Sequence, residues 1–263
     1  MVHFTTSLAD WFTRKQPPAG LSASARDVYL SPHCDDIAFS LGSFAAARGG
    51  GRLVTVFTYS NFTLDPGLAG LSPEAVTEWR WREEQKFAGA CGMTQTNLGM
   101  QEAPLRGRPA MDYTQAGEEL AAFSPVILPA LLGMQDEQPA GPRPWLFAPM
   151  GLGGHLDHAI ILQLIARNRA ILMRRFRLAF YEDLPYASWY DERVMGLMRF
   201  RALFGGLAWR RMSFPLGTGI RAKLDLVNLY GSQHRATPVI SDFSPYCQPP
   251  QPPHEAVWIS DYA

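Results

Sequence analysis

Twice in this chain a short β-prone apolar run gives way to a polar loop and then to a helix-prone apolar stretch, and few folds accommodate that succession. In the first instance Val28-Tyr29-Leu30 reads as a buried strand, and Ile37, Ala38, Phe39, Leu41, Phe44 and Ala45 follow at helical spacing until Gly49-Gly50-Gly51 stops them. In the second, Trp145-Leu146-Phe147 is the strand, a glycine-rich loop follows, and 159–171 is the helix. Further strands are predicted over 53–58 and 178–181, with a helix over 74–92. Alternation of this kind implies parallel strands with helices on both faces. The predicted class is α/β, a Rossmann-like three-layer αβα arrangement around a mostly parallel sheet.

The loops of the two units carry the densest polar chemistry in the chain: Ser31-Pro32-His33-Cys34-Asp35-Asp36 and Gly153-Gly154-His155-Leu156-Asp157-His158. Imidazole and carboxylate are the usual non-thiolate ligands of catalytic zinc, which takes three protein ligands and keeps a fourth position for water. In open α/β sheets ligands bind beyond the carboxyl ends of the strands, which is where the first loop falls. His155 and His158, at i and i+3, are expected to share one helical face. Taken alone, Asp35-Asp36 reads as a helix N-cap with a first-turn acid, and the histidines as loop and core residues satisfied by hydrogen bonds. Two such clusters, both at strand-to-loop junctions, favour one metal-hydrolase site.

His33-Cys34-Asp35-Asp36 after a first strand, with His155-Leu156-Asp157-His158 further on, resembles the LmbE-like (PIG-L) zinc de-N-acetylases. The likeness covers most of the chain. Arg80-Trp81-Arg82-Glu83 followed by Ala88 and Cys91-Gly92 is similar to the family's Arg-X-X-Glu helix, and Tyr181-Glu182-Asp183-Leu184-Pro185 and Lys223 to Tyr230-Gly231-Ser232-Gln233 are similar in kind. One departure is Ile37, where many members carry Glu. The resemblance implies the LmbE-like form of the α/β fold, Zn2+ held by His33, Asp36 and His158, and Asp35 as general base on the water. It also implies a protonated His155 that steadies the oxyanion and protonates the leaving amine. Asp157, placed between two histidines, is expected to orient one of their rings. Arg80 is expected to bind substrate hydroxyls, against the alternative of a solvated, salt-bridged helix face.

The implied reaction removes the acetyl group from an N-acetylglucosamine-like amino sugar or glycoconjugate. The alternatives are a zinc amidase acting on a larger amide conjugate or specialised metabolite, and a non-catalytic carbohydrate-binding relative. A binding module has no need of base, ligands and second histidine together. Mixed nitrogen and oxygen ligands accept several divalent ions, so Fe2+ stands beside Zn2+.

With 263 residues and 47 % hydrophobic content the chain can bury a large core. One domain over 1–263 is expected, ending in a Pro-rich strap over 245–263 that Trp258 anchors. Its 24 basic and 24 acidic residues cancel, so no global field favours nucleic acid or an anionic membrane. Arg167, Arg169, Arg174, Arg175 and Arg177, with Arg210 and Arg211, read as a solvated face, with contact to a phosphate or lipid surface as the alternative. The start lacks a signal-peptide pattern, no apolar run approaches transmembrane length, and Cys34, Cys91 and Cys247 form no disulfide framework, so a reduced cytoplasmic setting is expected. Oligomeric state stays open, a homo-oligomer included. The Gly49-Gly50-Gly51 run ends a helix and precedes a strand, the reverse of a phosphate-cradling loop. No cysteine-protease signature surrounds Cys34. The loop over 63–72 and the aromatics Tyr186, Trp189 and Tyr190 are expected to shape a substrate pocket.

Overall fold

The apolar runs do become strands, and the computed structural model, which describes residues 21, 23–135, 141–234 and 237–260, joins them in one sheet. In chain order the strands are β1 (Val28–Ser31), β2 (Arg52–Tyr59), β3 (Thr94–Gln101), β4 (Trp145–Pro149), β5 (Arg177–Tyr181), β6 (Trp209–Pro215) and β7 (His254–Ser260). They form a seven-stranded sheet ordered β3-β2-β1-β4-β5-β7-β6. The first five are parallel, and β7 runs antiparallel to both its neighbours. Every residue of β1 and β4 is buried, as the apolar runs Val28-Tyr29-Leu30 and Trp145-Leu146-Phe147 require of strands covered on two faces. The helices are α1 (Asp36–Arg48), α2 (Pro73–Cys91), α3 (Ala116–Leu132), α4 (Leu156–Arg167), α5 (Arg169–Arg175), α6 (Tyr190–Phe204) and α7 (Ile220–Val227). They cover the sheet in groups, α1 against α2 and α7, and α3 against α4. This is the α/β class, mostly parallel, that the alternation predicts.

The strand order places the site. Chain order runs outward from β1 through β2 to β3 on one side, then returns to pair β4 with β1, Val28 opposite Leu146 and Tyr29 opposite Phe147. The topological switch point therefore lies between β1 and β4, and in open α/β sheets that is where a crevice opens beyond the strand ends. The two polar loops follow these two strands.

Helix α1 is broken in its middle. Leu41 has φ −133° and ψ 20°, so the ladder is interrupted there. The fully buried Lys223, on α7, donates to Ala38 O at 2.9 Å and Phe39 O at 2.7 Å, and pairs with Glu255 Oε1 at 2.6 Å. Glu255, on β7, accepts from the N–H groups of Ser43 at 2.9 Å and Phe44 at 2.7 Å. A buried ion pair thus takes the backbone groups that the break orphans, which buried polar groups require. The helix stops at Gly49 as predicted, and Gly51 (φ +99°) lies so close to Asp27 O and the Tyr29 ring that a Cβ would meet each at 3.0 Å.

Several elements differ from the sequence expectation. β3, Thr-Gln-Thr-Asn-Leu-Gly-Met-Gln, is a polar edge strand with no apolar run to announce it. α3 contains Pro125 and Pro129, which read as breakers. The helix predicted over 159–171 starts at Leu156 and breaks at Asn168, whose side chain donates to Leu164 O at 2.9 Å. The Pro-rich stretch leads into β7, and Trp258 donates its indole N–H to Glu182 at 2.8 Å. Residues 261–263 of the expected strap and the start of the chain, where the signal-peptide reading falls, lie outside the described residues. Among the described residues no helix is long and apolar enough to cross a membrane.

Candidate metal centre and cleft

All five parallel strands deliver a polar residue just past their carboxyl ends: His33, Asp35 and Asp36 after β1, Ser60 after β2, Glu102 after β3, His155 and His158 after β4, and Asp183 after β5. Ligand atoms of His33, His155 and His158 lie within 4.8 Å of one another, as do those of His33, Asp35 and Asp36. The two clusters therefore meet, and the three predicted ligands and the two predicted acid/base residues share one place.

Hydrogen bonds fix the ring orientations. His33 Nε2 lies 3.0 Å from Asp157 Oδ2, so Nδ1 faces Asp36 Oδ2 at 3.4 Å. His158 Nδ1 lies 2.7 Å from Asp183 Oδ1, so Nε2 faces Asp36 Oδ1 at 3.3 Å. Each imidazole is held on one nitrogen by a buried carboxylate and turns the other toward Asp36, the arrangement usual for metal-ligating histidines. Burial opposes a charge on either ring, yet Asp157 and Asp36 hold His33 well above its usual value, and Asp36 and Asp183 raise His158 to about 9. Against burial, His158 and His33 in turn hold Asp36 far below the carboxylate range. This donor set favours positive charge at its centre and fits a divalent cation.

Asp157 orients a ring from the other cluster rather than one of its neighbours. Its fully buried carboxylate also accepts from Ala103 N at 3.1 Å and pairs with Arg106 at 2.7 Å. Burial alone would raise it, but His33, His155 and Arg106 lower it to about 2.

Asp35 and His155 are the two members of the group that are partly open to the cleft. Burial and the neighbouring Asp36 push Asp35 up to about 7. Asp35 occupies the N-cap position of α1 without a side-chain cap bond, so the plain capping reading does not describe it. His155 is the residue that caps: it precedes α4, and its Nδ1 accepts the N–H of Asp157 at 3.2 Å. The two histidines therefore share no helical face, although their ring centroids are 5.2 Å apart. Burial, together with His33 and His158, pushes His155 well below its usual value. That shift favours the neutral ring, where the sequence reading expected a protonated one, and with Nδ1 accepting, the proton of a neutral ring sits on Nε2.

Arg80 turns inward, 3 % exposed, where it pairs with Glu102 and donates to Ser60 Oγ at 2.5 Å. Its helical neighbour Arg82 makes the solvated pair, with Glu78 at 2.9 Å. Cys34 is buried and burial raises its thiol, so it has no thiolate character. Within the basic group, Arg175 donates to Gln135 O at 2.8 Å and Arg177 stacks 3.9 Å over Trp145, both local structural tasks. The cleft above the site holds about 760 Å³, with Arg80, Leu64, Tyr186 and Trp189 among its walls; Tyr190 instead packs on Tyr246. Sequence reasoning gave no role to Asp183, Glu102 or Ser60. Asp183 lay in the Tyr181-Glu182-Asp183 stretch already singled out, whereas Glu102 follows a strand that was not predicted.

No family model matches the sequence. The chain is 31 % identical over 221 residues to 2'-N-acetylparomamine deacetylase of Streptomyces fradiae, covering 79 % of this chain and 73 % of that enzyme. It belongs to the family of that deacetylase. The A40926 pseudoaglycone deacetylase has the same fold, with TM-score 0.59 at 20 % identity, covering 90 % of this chain and 97 % of that one. A deacetylase of teicoplanin biosynthesis superposes with TM-score 0.61 at 16 % identity over 90 % and 99 % of the two chains. Within the deacetylase family fold, the cleft lies at the switch point between β1 and β4.

Proposed function

We propose that this chain is a metal-dependent N-deacetylase of the LmbE-like (PIG-L) type that removes acetyl from an N-acetylated amino sugar, with Zn2+ held by His33, Asp36 and His158. One observation carries the reading. Two imidazoles turn free nitrogens onto one carboxylate, and the groups left open beside them are a carboxyl near neutrality and a neutral N–H imidazole. The name of the Streptomyces relative supports the same reaction class.

A divalent ion held by His33, Asp36 and His158 would supply Lewis acidity to the amide and to the attacking water. Asp35 takes the water's proton as the oxygen adds to the acetyl carbon. The His155 Nε2–H donates to the carbonyl oxygen as it becomes negative. A neutral imidazole is a poor source of a full proton, so protonated Asp35 delivers it to the nitrogen as the C–N bond breaks, leaving free amine and acetate. Asp157 and Asp183 position the ligand rings. Arg80, turned inward and paired with Glu102, steadies the Asp35 charge. A reduced cytoplasmic setting suits the free, buried thiols of Cys34 and Cys91.

The test is metal analysis of the purified protein together with acetate release from a panel of N-acetylated amino sugars, with and without chelator. Acetate that disappears with chelator and returns with Zn2+ is the expected result. Bound metal without acetate moves the reaction to a larger amide, and absence of metal after reconstitution overturns the proposal.

A further inference from the structure

The mouth of the cleft is apolar in a way the hydrolytic chemistry does not call for. Phe62, Leu64, Met111, Trp189 and Val239 line the cavity and stand between 47 % and 57 % exposed. Phe62 and Leu64 come from the loop after β2, Met111 from the turn before α3, Trp189 from the residue just before α6, and Val239 from the segment before β7. Isolated exposed apolar residues are ordinary, but four separate segments converging on one opening make a patch, and patches of that kind mark binding surfaces.

Charge points the same way. Among the described residues that line the cleft the carboxylates are Asp35, Asp36, Glu102 and Asp242. Asp35 and Asp36 belong to the reacting centre and Glu102 is paired with Arg80, so Asp242 is the one left to meet a cationic substrate. A molecule carrying several ammonium groups would find little complementarity here. The cavity is also larger than one acetamido sugar needs, so a second portion of the substrate has room between the metal centre and the rim.

We infer that the substrate is an N-acetylated amino sugar joined to an apolar or aromatic aglycone, which the Phe62, Leu64, Met111, Trp189 and Val239 rim holds while the acetamido group reaches Asp35. The inference rests on the deacetylase reading. The test compares the metal-loaded full chain on N-acetylglucosamine and on its octyl β-glycoside below micelle concentration. Acetate release should favour the octyl glycoside in kcat/KM by roughly tenfold or more, mostly through KM, since burying two methylene groups suffices for that. In the Phe62→Ser/Trp189→Ser double variant the ratio of the two kcat/KM values should fall toward one. Both side chains are half exposed, so the fold survives the change.

Equal kcat/KM for the two compounds in the parent enzyme overturns the inference and leaves deacetylation intact. If neither compound releases acetate, the reaction reading fails, and calorimetric binding decides the rim. Octyl glycoside binding that the double variant weakens at least tenfold supports the apolar site, and no binding overturns it. Cosedimentation with phosphatidylcholine vesicles, or a dimer, that the double variant abolishes would make the rim a membrane or self-association surface and overturn it as well.

Discussion

Lys223→Met is expected to destabilise the fold by about 3–5 kcal/mol, because it removes one partner of a buried ion pair. Both side chains of the Lys223–Glu255 pair are 0 % exposed, so no water replaces what is lost. The substitution leaves the carbonyls of Ala38 and Phe39 without their ammonium donor at the break in α1, and leaves the Glu255 carboxylate buried with only the Ser43 and Phe44 N–H groups. Methionine keeps the volume, so cavity formation adds little. Against a total stability of about 5–15 kcal/mol the loss is large, and a chain of this size should lose roughly 6–20 °C in Tm. Urea unfolding followed by circular dichroism measures it. Because the uncompensated charge dominates, Lys223→Met/Glu255→Gln should be more stable than Lys223→Met alone. A Lys223→Met cost under about 1 kcal/mol, or a Glu255→Gln effect that simply adds to it, would refute the reasoning.

Asp35→Asn should lower acetate release by roughly 10²–10⁴-fold while metal content, read by mass spectrometry, stays near that of the parent. Asp157→Asn and Asp183→Asn should each weaken metal binding about 10–100-fold in chelator competition, since each frees a ligand ring. With His158 raised to about 9, its ring is imidazolium at pH 7 in the metal-free protein, and His33 is shifted the same way, so metal binding must release protons and tighten as pH rises toward 9. Calorimetry in two buffers of different ionisation enthalpy counts them, and zero release would contradict the ring assignments. Burial would raise Glu182, but Arg193 and Arg211 lower it from 4.5 to about 2. A depressed carboxyl stabilises above its unfolded value and loses that contribution as pH falls from about 4.5 to about 2, here on the order of 3 kcal/mol. Glu182→Gln should therefore flatten the acid limb of stability against pH.

How much of this was legible in the sequence depended on whether the signal was local. β1, β4 and their loops were readable because an apolar run and the polar residues behind it are contiguous. β3 and α3 were not, since one hides its pairing in polar residues and the other carries two prolines. The partner of Asp157 illustrates the limit: adjacency pointed to His155 or His158, whereas the sheet brings up His33, 124 residues away. The surroundings of His155 were out of reach for the same reason. Burial and the imidazoles of His33 and His158 push that ring below its usual value, and neither is visible as a residue type at a spacing.

The main-chain capping bond to His155 makes the site unevenly evolvable. The rings of His33 and His158 are each oriented by one carboxylate, Asp157 or Asp183, which a single codon change can replace, so metal affinity and metal preference lie open to gradual retuning. The nitrogen of His155 that faces the cleft is set by the backbone at the start of α4 and comes with the fold itself. Lineages sharing this scaffold can drift in the ion they hold and in the walls of the cleft while inheriting one unchanged hydrogen-bond donor.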